Sequence, residues 1–110
     1  MTRTLAELRA EIAEGDELMT TAISSGVEGF VSSGSRQAVV SWRLYRIAEW
    51  SSHLPDAVRQ NYPTVDWREI KKLRNRLAHH FTSVNPTYIF VYAAMDVPKM
   101  RHALRETQSP

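Results

Sequence analysis

The stretch Ile70-Lys71-Lys72-Leu73-Arg74-Asn75-Arg76-Leu77-Ala78-His79-His80-Phe81 reads as a two-sided helix. Ile70, Leu73, Leu77 and Phe81 recur at spacings of 3, 4 and 4, which puts them on one face turned to a core. Upstream, Asp66 stands as N-cap with Glu69 three residues later, an acidic variant of the capping box, so the pattern predicts a helix over 67–81. At roughly 100° per residue, Arg68, Lys72, Asn75, Arg76 and His79 cluster on the opposite side. Arg74 falls about 40° from Ile70, at the edge of the apolar stripe. A guanidinium at that edge costs free energy unless it meets a carboxylate, a partner subunit or a phosphate.

The rest of the chain supplies further helices for that stripe to pack on. Thr4 and Glu7 form a capping box before Leu5, Leu8 and Ile12, which predicts a helix from about Leu5 to Glu14 with Gly15 as its stop. Asp16 then caps a second helix that turns Leu18, Met19, Ala22 and Ile23 inward, with Gly26 and Gly29 near its end. Ser32-Ser33-Gly34-Ser35 is a turn, and Ser35 caps a long helix reaching His53. Its inner stripe is Val40, Leu44, Ile47 and Ala48, and Glu49 beside that stripe is either a partner for Arg74 or part of a helix spacer salt bridge. Trp42, Arg46 and Trp50 share another face, either as core packing with Arg46 stacked between the rings or as a subunit interface. Pro55 suits the first turn of a short helix ending near Asn61. After a loop over 82–85, Pro86 starts a helix carrying Ile89, Phe90, Ala93 and Ala94. Pro98 breaks it, and Lys99 to Glu106 is a last helical turn or two. The expected organisation is a single domain over residues 1–106 with a flexible tail at 107–110.

Composition narrows the function classes. With 43% hydrophobic and 24% charged residues, the chain has the balance of a soluble globular domain. The absence of cysteine removes disulfides, thiol catalysis and cysteine-based metal sites. The apolar run from Tyr88 to Met95 is far shorter than the ~20 residues of a membrane span. Glu7, Glu11 and Glu14 stand where a signal peptide has its apolar core. A cytoplasmic protein without membrane contact is therefore expected. No metal is expected either, because His79-His80 lack carboxylates at ligand spacing and His53 and His102 are scattered. No Gly-rich phosphate loop and no nucleophile elbow is present, and no cofactor is expected.

Arg74-Asn75-Arg76-Leu77-Ala78-His79 resembles the signature of HEPN domains: an arginine, four residues, then a histidine. The surrounding text resembles the HepT-like branch of minimal toxins, through Ile47-Ala48-Glu49-Trp50, Asn61-Tyr62-Pro63, Asp66-Trp67-Arg68-Glu69-Ile70, Val84-Asn85-Pro86 and Asp96-Val97-Pro98. The likeness covers roughly residues 35–105 and is weaker in the first helix. It implies an all-α antiparallel bundle of four to five helices, assembled as a two-fold homodimer whose Arg-His motifs meet at a cleft between subunits. It also implies an endoribonuclease toxin partnered by a nucleotidyltransferase-like antitoxin that can transfer adenylate to a tyrosine two residues after the motif histidine. Here Phe81 occupies that position and offers no hydroxyl, so control falls to occlusion or to another hydroxyl such as Thr82, Ser83 or Tyr88. A second implied role is a non-catalytic, nucleotide- or substrate-binding helical partner of a nucleotidyltransferase.

The residues suit the first role chemically. RNA can be cut without a metal if a base takes the 2′-hydroxyl proton, an acid protonates the leaving 5′-oxygen and a cation steadies the charge on phosphorus. Histidine can serve as either acid or base near neutral pH, and arginine presents a fork of donors to phosphate oxygens. His79 and Arg74 are thus the catalytic candidates, with Asn75 one turn before His79 to hydrogen-bond the imidazole or the phosphate. Arg68, Lys72, Arg76 and His80 are candidates for RNA phosphates, the alternative being a solvated face for the first three and a peripheral packing role for His80. On one ideal helix Arg74 and His79 stand roughly 140° apart. They converge only if the helix is distorted, if Arg74 reaches around, or if a second subunit completes the site.

Overall fold

Reciprocal bonds between Thr4 and Glu7 start the first helix: Glu7 N donates to Thr4 Oγ1 (3.1 Å) and Thr4 N to Glu7 Oε1 (2.9 Å). The computed structural model describes residues 2–105, so the expected tail at 107–110 and the expected helix end at Glu106 lie outside the described residues. Every regular element among them is helical. In chain order these are α1 (Leu5–Ile23), α2 (Gly26–Val31), α3 (Gly34–Ser52), α4 (Asp56–Gln60), α5 (Trp67–His80), a 3₁₀ turn (Phe81–Ser83) and α6 (Pro86–Val91); α6 then runs through a π-turn (Tyr92–Asp96) into α7 (Val97–Arg105). Four long rods, α1, α3, α5 and α6 to α7, make an all-α bundle, with α2 and α4 as short connectors.

The rods run antiparallel, as their contacts show. Arg3, Glu11 and Gly15 of the N-terminal segment meet Trp50, Arg46 and Arg43 of α3 in reverse order. Glu49 of α3 meets Arg74 of α5, while Ala38 and Ser41 lie near Phe81, again in reverse order. Arg9 and Asp16 of α1 meet Leu104 and Arg101 of α7. The core between the rods contains Leu8, Ile12, Met19, Leu44, Ile47, Leu73, Leu77, Val97 and Leu104, all buried. Phe30 of α2 is fully buried beside Phe90 (ring centroids 5.7 Å apart), which pins the short helix to α6.

Outside α5, three expected boundaries move, each for a physical reason. The first helix does not stop at Gly15, and no separate helix starts at Asp16; α1 is continuous to Ile23. An interior glycine costs only about 1 kcal/mol against alanine, whereas each fully buried Leu, Ile or Met side chain on this face contributes roughly 1.5–3 kcal/mol. Ser33, not Ser35, caps α3, because its hydroxyl accepts from Arg36 N (3.3 Å) and leaves Ser35 inside the helix. Pro98 does not break the last rod. A π-turn precedes it, with Val97 N bonded to Tyr92 O, and the wider turn provides the room a ring without an N–H requires. Gly26, at φ +87°, turns the chain from α1 into α2, a conformation that favours glycine.

Of the Trp42-Arg46-Trp50 face, two residues are packed and one is exposed. The Arg46 guanidinium lies 4.7 Å from the Trp50 ring and 5.9 Å from the Trp42 ring, and it donates to both carboxylate oxygens of Glu11 (2.7 and 3.0 Å). Glu11 also lies 3.0 Å from Nη2 of the buried Arg43, whose Nε has no acceptor among the described residues. A buried carboxylate thus ties α1 to two arginines of α3. Packing accounts for Arg46 and Trp50, but Trp42 remains 49% exposed.

Gly15 marks the close approach of α1 to α3: a Cβ there would stand 3.4 Å from Arg43 Nε and 3.5 Å from Ile47 Cδ1. An added methyl makes ordinary contact, so Gly15→Ala should stabilise the protein by up to ~1 kcal/mol through helix propensity. Gly15→Leu should cost about 1–3 kcal/mol by overpacking. Urea unfolding of the two variants checks this; a more stable leucine variant would contradict the close approach.

Candidate functional site

Asp66 begins α5 by accepting from Glu69 N (3.0 Å), but the Glu69 carboxylate does not return to close a capping box. It faces Tyr88 instead, whose hydroxyl lies 3.5 Å from Glu69 Oε2. Trp67, the first residue of the helix, donates its indole N–H to the carbonyls of Arg59 and Tyr62 (3.1 Å each), which fixes the α4–α5 connection. Ile70, Leu73 and Leu77 are buried as the stripe requires. Phe81 is not the last residue of α5 but opens the 3₁₀ turn, with its ring 39% exposed beside Ala38 and Ser41 of α3.

Arg74 has the carboxylate its position demands. Its Nε donates to Glu49 Oε1 (2.8 Å), and Nη1 donates to Asn75 Oδ1 (3.3 Å). The second carboxylate oxygen of Glu49 lies 3.0 Å from His53 Nε2, one turn along α3. The hydrogen bond from Arg74, and then that from His53, holds the Glu49 carboxyl below its ordinary range despite partial burial. The Glu49 bond raises Arg74 in turn. A depressed carboxylate pKa means this contribution to stability is complete above the ordinary glutamate range and is lost as pH falls through the lowered value. A guanidinium has five N–H donors, and two are used here; the other three remain for an anion.

His79 lies on the exposed side of α5. The helix is regular from Trp67 to His80, so the roughly 140° between Arg74 and His79 persists, and one chain does not bring them together. Asn75 is exposed, and its carbonyl oxygen is bonded to Arg74 rather than to the imidazole.

The four phosphate-binding candidates do not form one patch. Arg68 and Lys72 are exposed, and Arg68 lines a cleft of about 400 Å³ between α3, α4 and α5. Arg76 turns the other way, its guanidinium 5.2 Å over the Tyr88 ring, and lines with His80 a hollow of about 420 Å³ near Asn85. Burial first, and then the Glu69 charge, raises the Tyr88 hydroxyl above its ordinary pKa, which keeps it a donor. His53 escaped the sequence reading, although its i, i+4 spacing from Glu49 is a usable signal. Arg59 and Lys71, which also line the 400 Å³ cleft, escaped it because they meet only across elements. No group of three or more metal-ligating side chains occurs among the described residues, and no helix there is long and apolar enough to cross a membrane.

A family model described as HepT-like, ribonuclease HepT-like, matches residues 12–107. The chain is 27% identical over 104 residues to a protein of Thermococcus cleftensis named a probable ribonuclease HepT, covering 92% of this chain and 93% of that one. Two proteins of Methanocaldococcus jannaschii, named as candidate RNases, are 30% identical over 69 residues (63% of this chain and 57% of theirs) and 32% over 66 (60% of each). No solved structure matches significantly. The Arg74-to-His79 motif on a regular helix, the all-α bundle and the match over residues 12–107 together establish that the chain belongs to the HepT-like ribonuclease family.

Proposed function

We propose that the protein is a metal-independent endoribonuclease whose site is completed by a second copy of the chain. The observation that carries this reading is the fixed divergence of Arg74 and His79. Of the three routes to convergence, helix distortion is at odds with the regular α5, and reaching around is at odds with the bond from Arg74 to Glu49. A two-fold partner remains. The exposed face beside Arg74 suits one: Trp42 stacks on Tyr45 (6.0 Å), one turn from Glu49, and Val39 and Phe81 are exposed as well. A two-fold axis there brings two copies of His79 to one cleft.

In the cleft one His79 accepts the proton of the RNA 2′-hydroxyl as that oxygen attacks phosphorus. The bond to the 5′-oxygen breaks, and the other His79, protonated, donates its proton to the leaving oxygen. The products are a 2′,3′-cyclic phosphate and a 5′-hydroxyl. Arg74, held by Glu49, directs its remaining donors at the phosphoryl oxygens. Asn75 keeps its amide N–H groups for the same phosphate, while Arg68, Lys72, Arg76 and His80 hold flanking phosphates. The reading extends to a cytoplasmic toxin neutralised by a nucleotidyltransferase-like antitoxin. Because Phe81 has no hydroxyl, neutralisation proceeds by occlusion of the cleft or by adenylation of another hydroxyl such as Thr82, Ser83 or Tyr88. Tyr88 lies half-buried under Arg76 against Glu69.

His79→Ala should abolish RNA cleavage with an unchanged melting temperature, since the side chain is exposed. Arg74→Ala should abolish it too and cost on the order of 1 kcal/mol of stability, because Glu49 keeps only His53. Activity should persist in excess EDTA; cleavage that stops on chelation rules out the metal-free scheme. Co-expression with the antitoxin followed by intact-mass measurement tests the control. An unmodified mass in a stable complex supports occlusion, and Phe81→Tyr should then gain an adenylate mass increment if the antitoxin still transfers it. A chain that binds the nucleotidyltransferase-like protein but cleaves no RNA would instead fit the helical-partner role.

A further inference from the structure

We propose that the cleft between α3, α4 and α5 is a binding subsite for single-stranded RNA, seating a nucleotide that flanks the cut. The proposal rests on the ribonuclease reading and gives its substrate a direction. Arg59 of α4 and Arg68 and Lys71 of α5 converge on this cleft of about 400 Å³, and no carboxylate is among its lining residues. That volume falls within the range of small-ligand pockets. Arg59 is held from behind, donating Nη1 to Ser51 O (3.0 Å) and pairing through Nη2 with Asp56 at the start of its own helix. The wall is rigid as well, since the Trp67 indole N–H is bonded to two carbonyls. Ile70 and Ala48 supply an apolar floor. Cations at the rim with an aromatic and an aliphatic surface below suit a phosphate with its ribose and base, the combination that single-stranded nucleic-acid sites use.

Position makes the cleft part of the catalytic track. Arg68, Lys71, Asn75 and His79 follow one another at spacings of 3, 4 and 4, one stripe along the exposed side of α5. Its ends are 11 residues apart, or about 16 Å along the axis. Lys71 stands one turn before Arg74, so a strand cut at His79 and Arg74 runs directly into the cleft. A merely solvated face would give exposed cations along α5, but it would not bring Arg59 in from a second helix over an apolar floor.

The test uses the full chain and the double variant Arg68→Ala, Lys71→Ala. Binding of a 2′-O-methyl single-stranded 12-mer, which cannot be cleaved, is measured from low to moderate salt. Each lost phosphate contact lowers the slope of log K against log salt by about 0.7 on a single strand, so the double variant should lose about 1.4 of slope. The ratio of kcat/KM on a cleavable 12-mer to that on a dinucleotide should fall at least tenfold, because only the longer substrate reaches the cleft. A slope and a length ratio equal to wild type overturn the subsite, and if wild type still cleaves RNA the ribonuclease reading stands without it. If wild type cleaves no RNA but the slope difference appears, the subsite stands and the ribonuclease reading fails.

Discussion

The candidate site depends on one ion pair. Arg74 stands at the margin of a buried stripe, where an unpaired guanidinium is costly, and Glu49 of α3 meets it at 2.8 Å. The same carboxylate takes His53 on its other oxygen, so its two acceptors hold groups from α3 and α5 together. Burial opposes the charge on Glu49, yet its carboxyl stays below the ordinary range, so the hydrogen bonds outweigh desolvation. The pair aims Arg74 along the α3 side of α5 and away from the His79 of its own chain. Orientation at this one residue is therefore what the proposed two-chain site rests on.

Helix α5 separates its duties by azimuth. Toward α3 lie Arg74 and the cleft with Lys71, outward lies His79, and toward α6 Arg76 covers Tyr88 while Glu69 receives the Tyr88 hydroxyl. Arg76 thus has a packing role beside any contact with phosphate: its cation–π contact joins α5 to α6. Phe81, at the end of the stripe, keeps its ring against the α3 side although the chain has already left the α-helix.

Much of this was legible in the sequence, and the exceptions have a common cause. The stripe of Ile70, Leu73 and Leu77 and the Asp66 and Thr4 caps follow from local periodicity, while Glu49 was only one candidate partner for Arg74 until the structure paired them. The misread boundaries at Gly15 and Pro98 are places where long-range burial outweighs a local signal. Gly15 lies inside a helix packed on Arg43 and Ile47, and Pro98 is accommodated by a π-turn whose Tyr92 and Ala93 are buried. The Glu11 link to Arg43 and Arg46 and the convergence of Arg59 on Lys71 need three-dimensional register between helices, which spacing within a helix does not encode. At the candidate site, Arg74 and His79 were expected from the sequence with the way they meet left open; the regular α5 keeps them roughly 140° apart within one chain, and the proposal of a partner rests on that.

The central claim is that the working site belongs to two chains. It is tested most directly with purified heterodimers, isolated by two different affinity tags, that pair a wild-type chain with one carrying Arg74→Ala and His79→Ala. If the cleft draws groups from both subunits, this heterodimer has no complete site, and its RNA cleavage should fall at least a hundredfold below the wild-type homodimer. Retention of half the wild-type activity would mean that each chain carries a self-sufficient site, and would contradict the account.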